Sequence, residues 1–303
     1  MVSLHIVIQL ALIALVAGSG TTPHIREIFL GRCWAYQEVI KPQHLHSDVK
    51  NCELLWDMFV TAFSNKGPCD VTSQEYAPFM SQASQEIARN KAMFWSGTYQ
   101  IAHQFAENGK RFVTLEDTLI GYIVNSVTWC GDNAGINYMY CPPWYECAEA
   151  GTAFWGSASS EFASSARGNI TIVLDGSRDG KPAYSKDSYF AKFELPALRL
   201  PDVTRVNILL VHDIDKPRRE MCDNGSLLSL QDDIAARGLK STCVDDPDTV
   251  IHLMCVDDPE SRECQLVHKM AHNSQQKEAI LNARPKRSVV NKFDRLHRNM
   301  HPF

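Results

Sequence analysis

Ten cysteines constrain this chain more than any other feature. They stand at positions 33, 52, 69, 130, 141, 147, 222, 243, 255 and 264. Ahead of them, Leu4 to Val16 is almost wholly apolar, interrupted by His5 and Gln9, and small residues Ala17 to Gly20 follow. That pattern predicts a signal peptide over residues 1–20, cleaved near Gly20. In a secreted chain an even count of cysteines favours disulfides, although ten cysteines alone leave the pairing open. No Cys-x-x-Cys pair occurs, so a structural zinc site is not expected, and no metal is assigned. Asn169-Ile-Thr171 and Asn224-Gly-Ser226 are glycosylation sequons. The expected location is outside the cell or in the lumen of secretory vesicles.

Composition excludes several classes. With 303 residues and 45% hydrophobic residues the chain can bury a real core, so wholesale disorder is excluded. No run reaches the roughly 18 to 20 apolar residues of a membrane-spanning helix. The formal net charge of −5 argues against a nucleic-acid partner, which calls for a basic surface. That total hides an asymmetry. Arg284 to Phe303 holds six Lys/Arg and one Asp, which leaves a body near −10 and a tail near +5. Residues 272–303 therefore read as a basic tail outside the fold. Arg284-Pro-Lys-Arg287 within it resembles a convertase cleavage site.

The first half has helical periodicity. Asn51 to Phe63 places Leu54, Leu55, Met58, Phe59 and Phe63 on one face. Ser81 to Ala88, Thr114 to Val127 and Phe154 to Ala166 continue the pattern. The second half changes character. Ile170 to Leu174, Val206 to Val211 and Thr249 to Met254 are continuous apolar runs. Ser226 to Gly238, between the last two, reads as a helix capped by Ser226 and closed by Gly238. Apolar strands separated by helices predict a parallel sheet covered on both faces. The expected fold is α/β in two domains. A mainly helical N-terminal domain spans 21–167, with segments free to cross over, and an α/β domain spans 168–271.

Three groups of residues carry chemistry. In Thr114-Leu-Glu-Asp-Thr-Leu119, Thr114 is a candidate N-cap with Asp117 three residues on. Glu116 and Asp117 are then either ordinary capping acids or polar acceptors at a pocket rim. Met93-Phe-Trp-Ser-Gly97 and Phe154-Trp-Gly-Ser-Ala158 each offer a tryptophan that is either core or a stacking surface for a flat ring. In Ser188-Tyr-Phe-Ala-Lys-Phe-Glu194-Leu-Pro196, Glu194 either pairs with Lys192 on a loop or lies among aromatics, where it can stabilise a developing cation.

In order along the chain, these segments resemble the ADP-ribosyl cyclase family. The matching residues are Phe29-Leu-Gly-Arg-Cys33, Ala62-Phe-Ser64, Pro68-Cys-Asp70, Met93 to Gly97, Thr114 to Leu119, Gly121-Tyr122, Trp129-Cys-Gly131, Cys141-Pro142, Phe154-Trp-Gly156, Asp175-Gly-Ser177, Phe193 to Pro196, Gly225 to Leu228 and Arg262-Glu-Cys264. They run from about residue 26 to 270 and look more like the soluble invertebrate enzymes than the membrane-anchored mammalian ones. The resemblance implies an active site in a cleft between the two domains. It also implies the pairs Cys33–Cys52, Cys69–Cys147, Cys130–Cys141, Cys222–Cys243 and Cys255–Cys264.

The resemblance further implies conversion of NAD to cyclic ADP-ribose and nicotinamide, with base exchange on NADP giving NAADP. NAD or NADP is then the substrate, no cofactor is needed, and a homodimer is an expected assembly. Glu194 matches the family's catalytic Glu, and Trp95 and Trp155 match its stacking tryptophans. Glu116 matches the Glu that contacts nicotinamide and biases cyclisation against hydrolysis; Asp117 sits beside it. Ser96 and Ser159 match positions that bind substrate phosphate and ribose, and Phe190 belongs to the same pocket. Tyr189 stands where the soluble cyclase has Phe and the mammalian hydrolase has Thr. Asn125 stands where the cyclase has Asn and the hydrolase has Asp. Both favour adenine attack over water. Ala191 departs from the family's Gly and raises the question of whether that position needs a left-handed backbone. Competing readings are an NAD(P) glycohydrolase giving ADP-ribose, an inactive binding protein of the same fold, and a glycosidase acting through Glu116 and Glu194.

Overall fold

The computed structural model describes residues 20–247, apart from 108, 144, 148, 214 and 215, together with residues 250, 252, 255, 259, 260, 264 and 265. Residues 1–19 of the expected signal peptide and the whole of the expected basic tail lie outside the described residues. Residues through Val250 cluster as one compact unit and Ile251–Phe303 as a second. In the second unit, Cys255 and Cys264 are joined and Gln265 Nε2 donates to the Glu260 carbonyl at 3.2 Å.

In the first unit the helices are α1 (Ile25–Ala35), α2 (Cys52–Phe63), α3 (Ala77–Ala83), α4 (Tyr99–Ala106), α5 (Leu119–Val124), α6 (Ala150–Ser165), the short α7 (Leu195–Ala197) and α8 (Ser226–Ala236). The strands are β1 (Leu45–His46), β2 (Glu86–Ile87), β3 (Met93–Ser96), β4 (Gly131–Asp132), β5 (Gly135–Ile136), β6 (Gly168–Asp175), β7 (Val203–Val211) and β8 (Lys240–Asp245). Four of them form one parallel sheet in the order β3-β6-β7-β8. Two two-stranded antiparallel pairs, β1–β2 and β4–β5, stand apart from it.

The helical half closes around aromatics. Phe29, Phe59, Phe63, Tyr76, Phe79, Trp129 and Phe154 are buried and touch one another at ring separations such as 5.1 Å for Phe59–Trp129 and 5.3 Å for Phe59–Phe63. Pairs of this kind add about 0.5–1.5 kcal/mol each beyond the area they bury. Asn51 starts α2 by accepting from the backbone N–H groups of Glu53 and Leu54. The buried face of α2 holds Leu55, Phe59 and Phe63 as expected, together with Cys52, Trp56 and Ala62, but Leu54 points outward.

The inner strand β6 is buried over Ile170 to Leu174, as an apolar run covered on both faces should be. β3 is contributed by the first half of the chain and pairs with β6 in parallel, Trp95 beside Val173 and Ser96 beside Leu174. The sheet therefore draws on both sides of residue 167. All five implied disulfides are formed, and no cysteine is left free.

Several expected elements are revised. In the expected strand Thr249 to Met254, the two described residues, Val250 and His252, are helical; Thr249, Ile251, Leu253 and Met254 lie outside the described residues. The outer place beside β7 is taken by β8, whose alternating, half-exposed pattern carries no apolar run. Ser81 to Ala88 is helical only to Ala83, because Ser84 and Gln85 turn to bond Glu161 and the Leu119 amide. Thr114 to Val127 is two pieces, a 3-10 turn over Leu115–Asp117 and then α5, separated at Thr118. Gly225 rather than Ser226 is the N-cap of α8, since the Ser226 hydroxyl donates to Glu220 instead.

Candidate active site

A cleft of about 370 Å³ opens at the carboxyl end of β3. This is within the size range of small-molecule sites. Its wall includes Trp95, Ser96, Glu116, Trp155, Ser159, Tyr189, Phe190 and Glu194, all of them singled out in the sequence. Asp117 and Asn125 are not part of that wall.

β3 delivers Trp95 and Ser96. Gly97 follows with a φ of +75°, a left-handed turn that sends the chain into α4. The indole N–H of Trp95 donates to Glu116 Oε2 at 3.3 Å. Glu116 itself is placed by the 3-10 turn. Thr114 and Asp117 form the expected capping box, with Asp117 Oδ2 accepting from the Thr114 amide at 2.8 Å and its hydroxyl at 2.9 Å. Behind that turn the Tyr36 hydroxyl lies 2.8 Å from the Asp117 carbonyl and 3.0 Å from Gln85 Oε1. Gln85 Oε1 also accepts from the Leu119 amide at 2.6 Å. Asp117 is thus committed to holding the turn, and burial raises its pKa despite the bonds from Thr114.

Asn125 closes α5, where its carbonyl accepts from Arg32 at 2.7 Å. Its side chain oxygen lies 3.4 Å from the Ser126 hydroxyl.

α6 carries Trp155 and Ser159 on one face, four residues apart. Trp155 meets Phe154 edge to face at 5.4 Å. Opposite α6, Phe190–Glu194 form a π-helical turn, a distortion frequent at functional sites. The two segments approach closely at Gly156, where an added Cβ would stand 2.9 Å from the Phe193 ring. Phe190 is buried against Phe94 at 5.6 Å. Tyr189 is 39% exposed at the mouth, its ring 5.3 Å from Phe193. Ala191 lies inside the π-turn and is not among the residues with positive φ, so its backbone there has no need of glycine.

Glu194 is the buried polar group at the base. Only 8% of it is exposed, and Ser159 Oγ donates to its Oε1 at 3.1 Å. Burial, opposed by that hydrogen bond and reinforced by the charge of Glu116, pushes its pKa up to about 8. Lys192 does not neutralise it: that ammonium pairs with Asp187 at 2.8 Å. The loop ion pair that the sequence left open is therefore replaced by a carboxyl group held among aromatics.

Leu115, Phe162 and Ser188 also line the cleft without having been assigned to it, and one ionisable group just behind its wall was missed. His103 on α4 stands behind Trp95, with ring centroids 5.7 Å apart, and its Nε2 is 3.6 Å from Glu116 Oε2. Its only sequence signal is its four-residue spacing from Tyr99, just after the Trp95 motif.

Comparison with known proteins places the chain. The ADP-ribosyl cyclase family model matches residues 22–264. A protein of Aplysia kurodai named ADP-ribosyl cyclase/cyclic ADP-ribose hydrolase is 43% identical over 252 residues, covering 82% of this chain and 89% of that protein. The crystal structure of Aplysia cyclase complexed with substrate NGD and product cGDPR superposes with a TM-score of 0.76 at 42% identity, covering 81% of this chain and 98% of that one. A CD38 structure described as a covalent enzyme–substrate complex gives a TM-score of 0.69 at 33% identity, over 77% and 96% of the two chains. The chain belongs to the ADP-ribosyl cyclase family.

The two sequons lie on the surface. Asn169 is exposed at the start of β6, and Asn224 is exposed just before α8. No helix among the described residues is long and apolar enough to cross a membrane.

Proposed function

We propose that this chain is an ADP-ribosyl cyclase that converts NAD to cyclic ADP-ribose and nicotinamide. The observation that carries this reading is the Glu194 carboxyl, buried at the base of the cleft and held by Ser159. The bond between nicotinamide and ribose breaks with its electron pair moving onto the pyridinium nitrogen, so nicotinamide leaves neutral. Positive charge then develops on the ribosyl carbon. A carboxylate in a low-dielectric pocket stabilises that charge, by electrostatics or by a transient ester bond. The cationic pyridinium of the substrate favours the ionised form of Glu194 that this step needs.

Trp95 and Trp155 offer flat faces on which to hold nicotinamide and adenine. Ser96 and Ser159 supply hydroxyls for phosphate and ribose. Glu116 biases the second step, in which the ribosyl carbon is taken by an adenine nitrogen or by water. Tyr189 presses an aromatic ring into the mouth and favours adenine. With NADP and nicotinic acid the same ribosyl centre undergoes base exchange to NAADP. NAD and NADP are substrates in this scheme, and no cofactor takes part. The five disulfides support a secretory route, with glycosylation at Asn169 and Asn224. A homodimer belongs to the same reading, and sedimentation at monomer mass alone would remove it.

Chromatographic analysis of products from NAD and from NGD tests the assignment. Cyclic product should dominate, and Glu194→Gln should cut nicotinamide release by about a hundredfold or more. ADP-ribose as the main product would replace the cyclase by a glycohydrolase. Unchanged turnover in Glu194→Gln would remove Glu194 from the chemistry.

A further inference from the structure

His103 is locked from one side and open on the other. Its Nδ1 lies 2.8 Å from the carbonyl oxygen of Tyr99. A carbonyl only accepts, so Nδ1 carries a proton. Its Nε2 is buried, lacks a hydrogen-bond partner within normal range, and faces Glu116 Oε2 at 3.6 Å. A neutral imidazole would turn a lone pair toward a carboxylate in a half-dry site, which is repulsive. One of the two groups must therefore hold a further proton, and the pair behaves as a single titrating unit.

The ring has little freedom. Tyr99 packs on it at 4.1 Å, and Trp95 stands edge-on at 5.7 Å. The ionisable groups acting on it are Glu116 and Asp117 from the 3-10 turn. Asp117 is already engaged by Thr114, and Glu194 lies beyond Glu116 and feels its charge.

We propose that His103 is a positioning residue for Glu116, its imidazolium Nε2–H holding the carboxylate against the Trp95 indole and fixing its charge, so that the ratio of cyclic to hydrolysed product follows the protonation of this pair. This rests on the reading of Glu116 as the residue that biases cyclisation. The electrostatics agree. Burial works against the imidazolium, but Glu116 and the Tyr99 carbonyl outweigh it and raise the His103 pKa. Glu116 is correspondingly lowered, its burial outweighed chiefly by His103.

Two measurements on the full chain test this. Histidine ring ¹⁵N spectra across a pH titration should show Nδ1 protonated throughout, and Glu116→Gln should lower the pH at which His103 loses its second proton. An unmoved titration overturns the pairing, whatever the enzyme's activity. Product ratios from NAD should shift by about threefold as the pair titrates, the scale of a partly screened ion pair, and the shift should vanish in His103→Gln. A ratio with the same pH profile in His103→Gln overturns the proposal alone. A ratio unaffected by Glu116→Gln, with NAD still consumed, overturns the reading of Glu116 and this proposal with it. Should His103→Gln fail to fold, the Glu116→Gln titration decides.

Discussion

Glu194 sits where a carboxylate is costly, and that cost has a measurable sign. Its folded pKa of about 8 lies above the ordinary carboxyl value. Below the ordinary value both folded and unfolded chains hold the proton, and nothing is lost. As pH rises the unfolded chain ionises first, so Glu194 draws stability out of the fold until the pH passes about 8. Glu194→Gln should therefore be more stable than the native chain. The gap should open between about pH 5 and 8 and reach a few kcal/mol, read from thermal or denaturant midpoints. The same group should place an acidic limb near 8 in kcat/KM, moving to lower pH in kcat once a cationic substrate fills the cleft. The ambiguity over Glu194 in the sequence was physical: Lys192 is two residues away, but in a π-turn it faces Asp187 instead.

Among the elements, the 3-10 turn that carries Glu116 depends on how closely α5 can approach it. Gly121 permits this, since an added Cβ would stand 2.1 Å from the Leu115 carbonyl oxygen and 2.8 Å from Glu116 Cα. Gly121→Ala should cost about 1–3 kcal/mol and move Glu116 as the backbone gives way. A lower midpoint together with an altered product ratio would report both effects. Much of this was legible. The capping spacing of Thr114 and Asp117, most of the buried face of α2, the body of α6 from Phe154 onward and the apolar runs of β6 and β7 all follow from local patterning, whereas the first turn of α6, from Ala150, does not. What was not legible depends on distant partners. Nothing near residue 85 signals that its amide side chain will accept from Leu119 and end a helix. β3 is only four residues long and becomes a strand by pairing with β6. Among the described residues β8 has a sheet neighbour on one side only, so its apolar signal is weak, whereas Val250 and His252 lie in a run with the composition of a strand and are helical. His103 escaped notice because one histidine on a helix carries no motif.

For the molecule as a whole, the cleft lies where parallel α/β sheets place their ligands, outside the carboxyl ends of the strands. It does so on a body whose formal charge is near −10. An anionic dinucleotide is not drawn in by such a surface, so capture depends on local hydroxyls and aromatic faces. Raising salt from about 20 to 300 mM should leave kcat/KM for NAD flat or slightly higher, where a basic, steering surface would make it fall. The disulfides have a further consequence. Three lie wholly before residue 148 and two wholly after residue 221. Trp95 and Glu116 belong to the first group's side, while Glu194 sits on the uncrossed stretch between. Asp179 to Pro182 is an exposed turn on that same stretch. A protease nick at Gly180 would therefore yield two individually stapled fragments with no covalent link, held together by the β6–β7 ladder and the packing of α6 on the π-turn. Under non-reducing denaturation they should part; on dilution, the return of nicotinamide release would make this chain its own split reporter of reassembly.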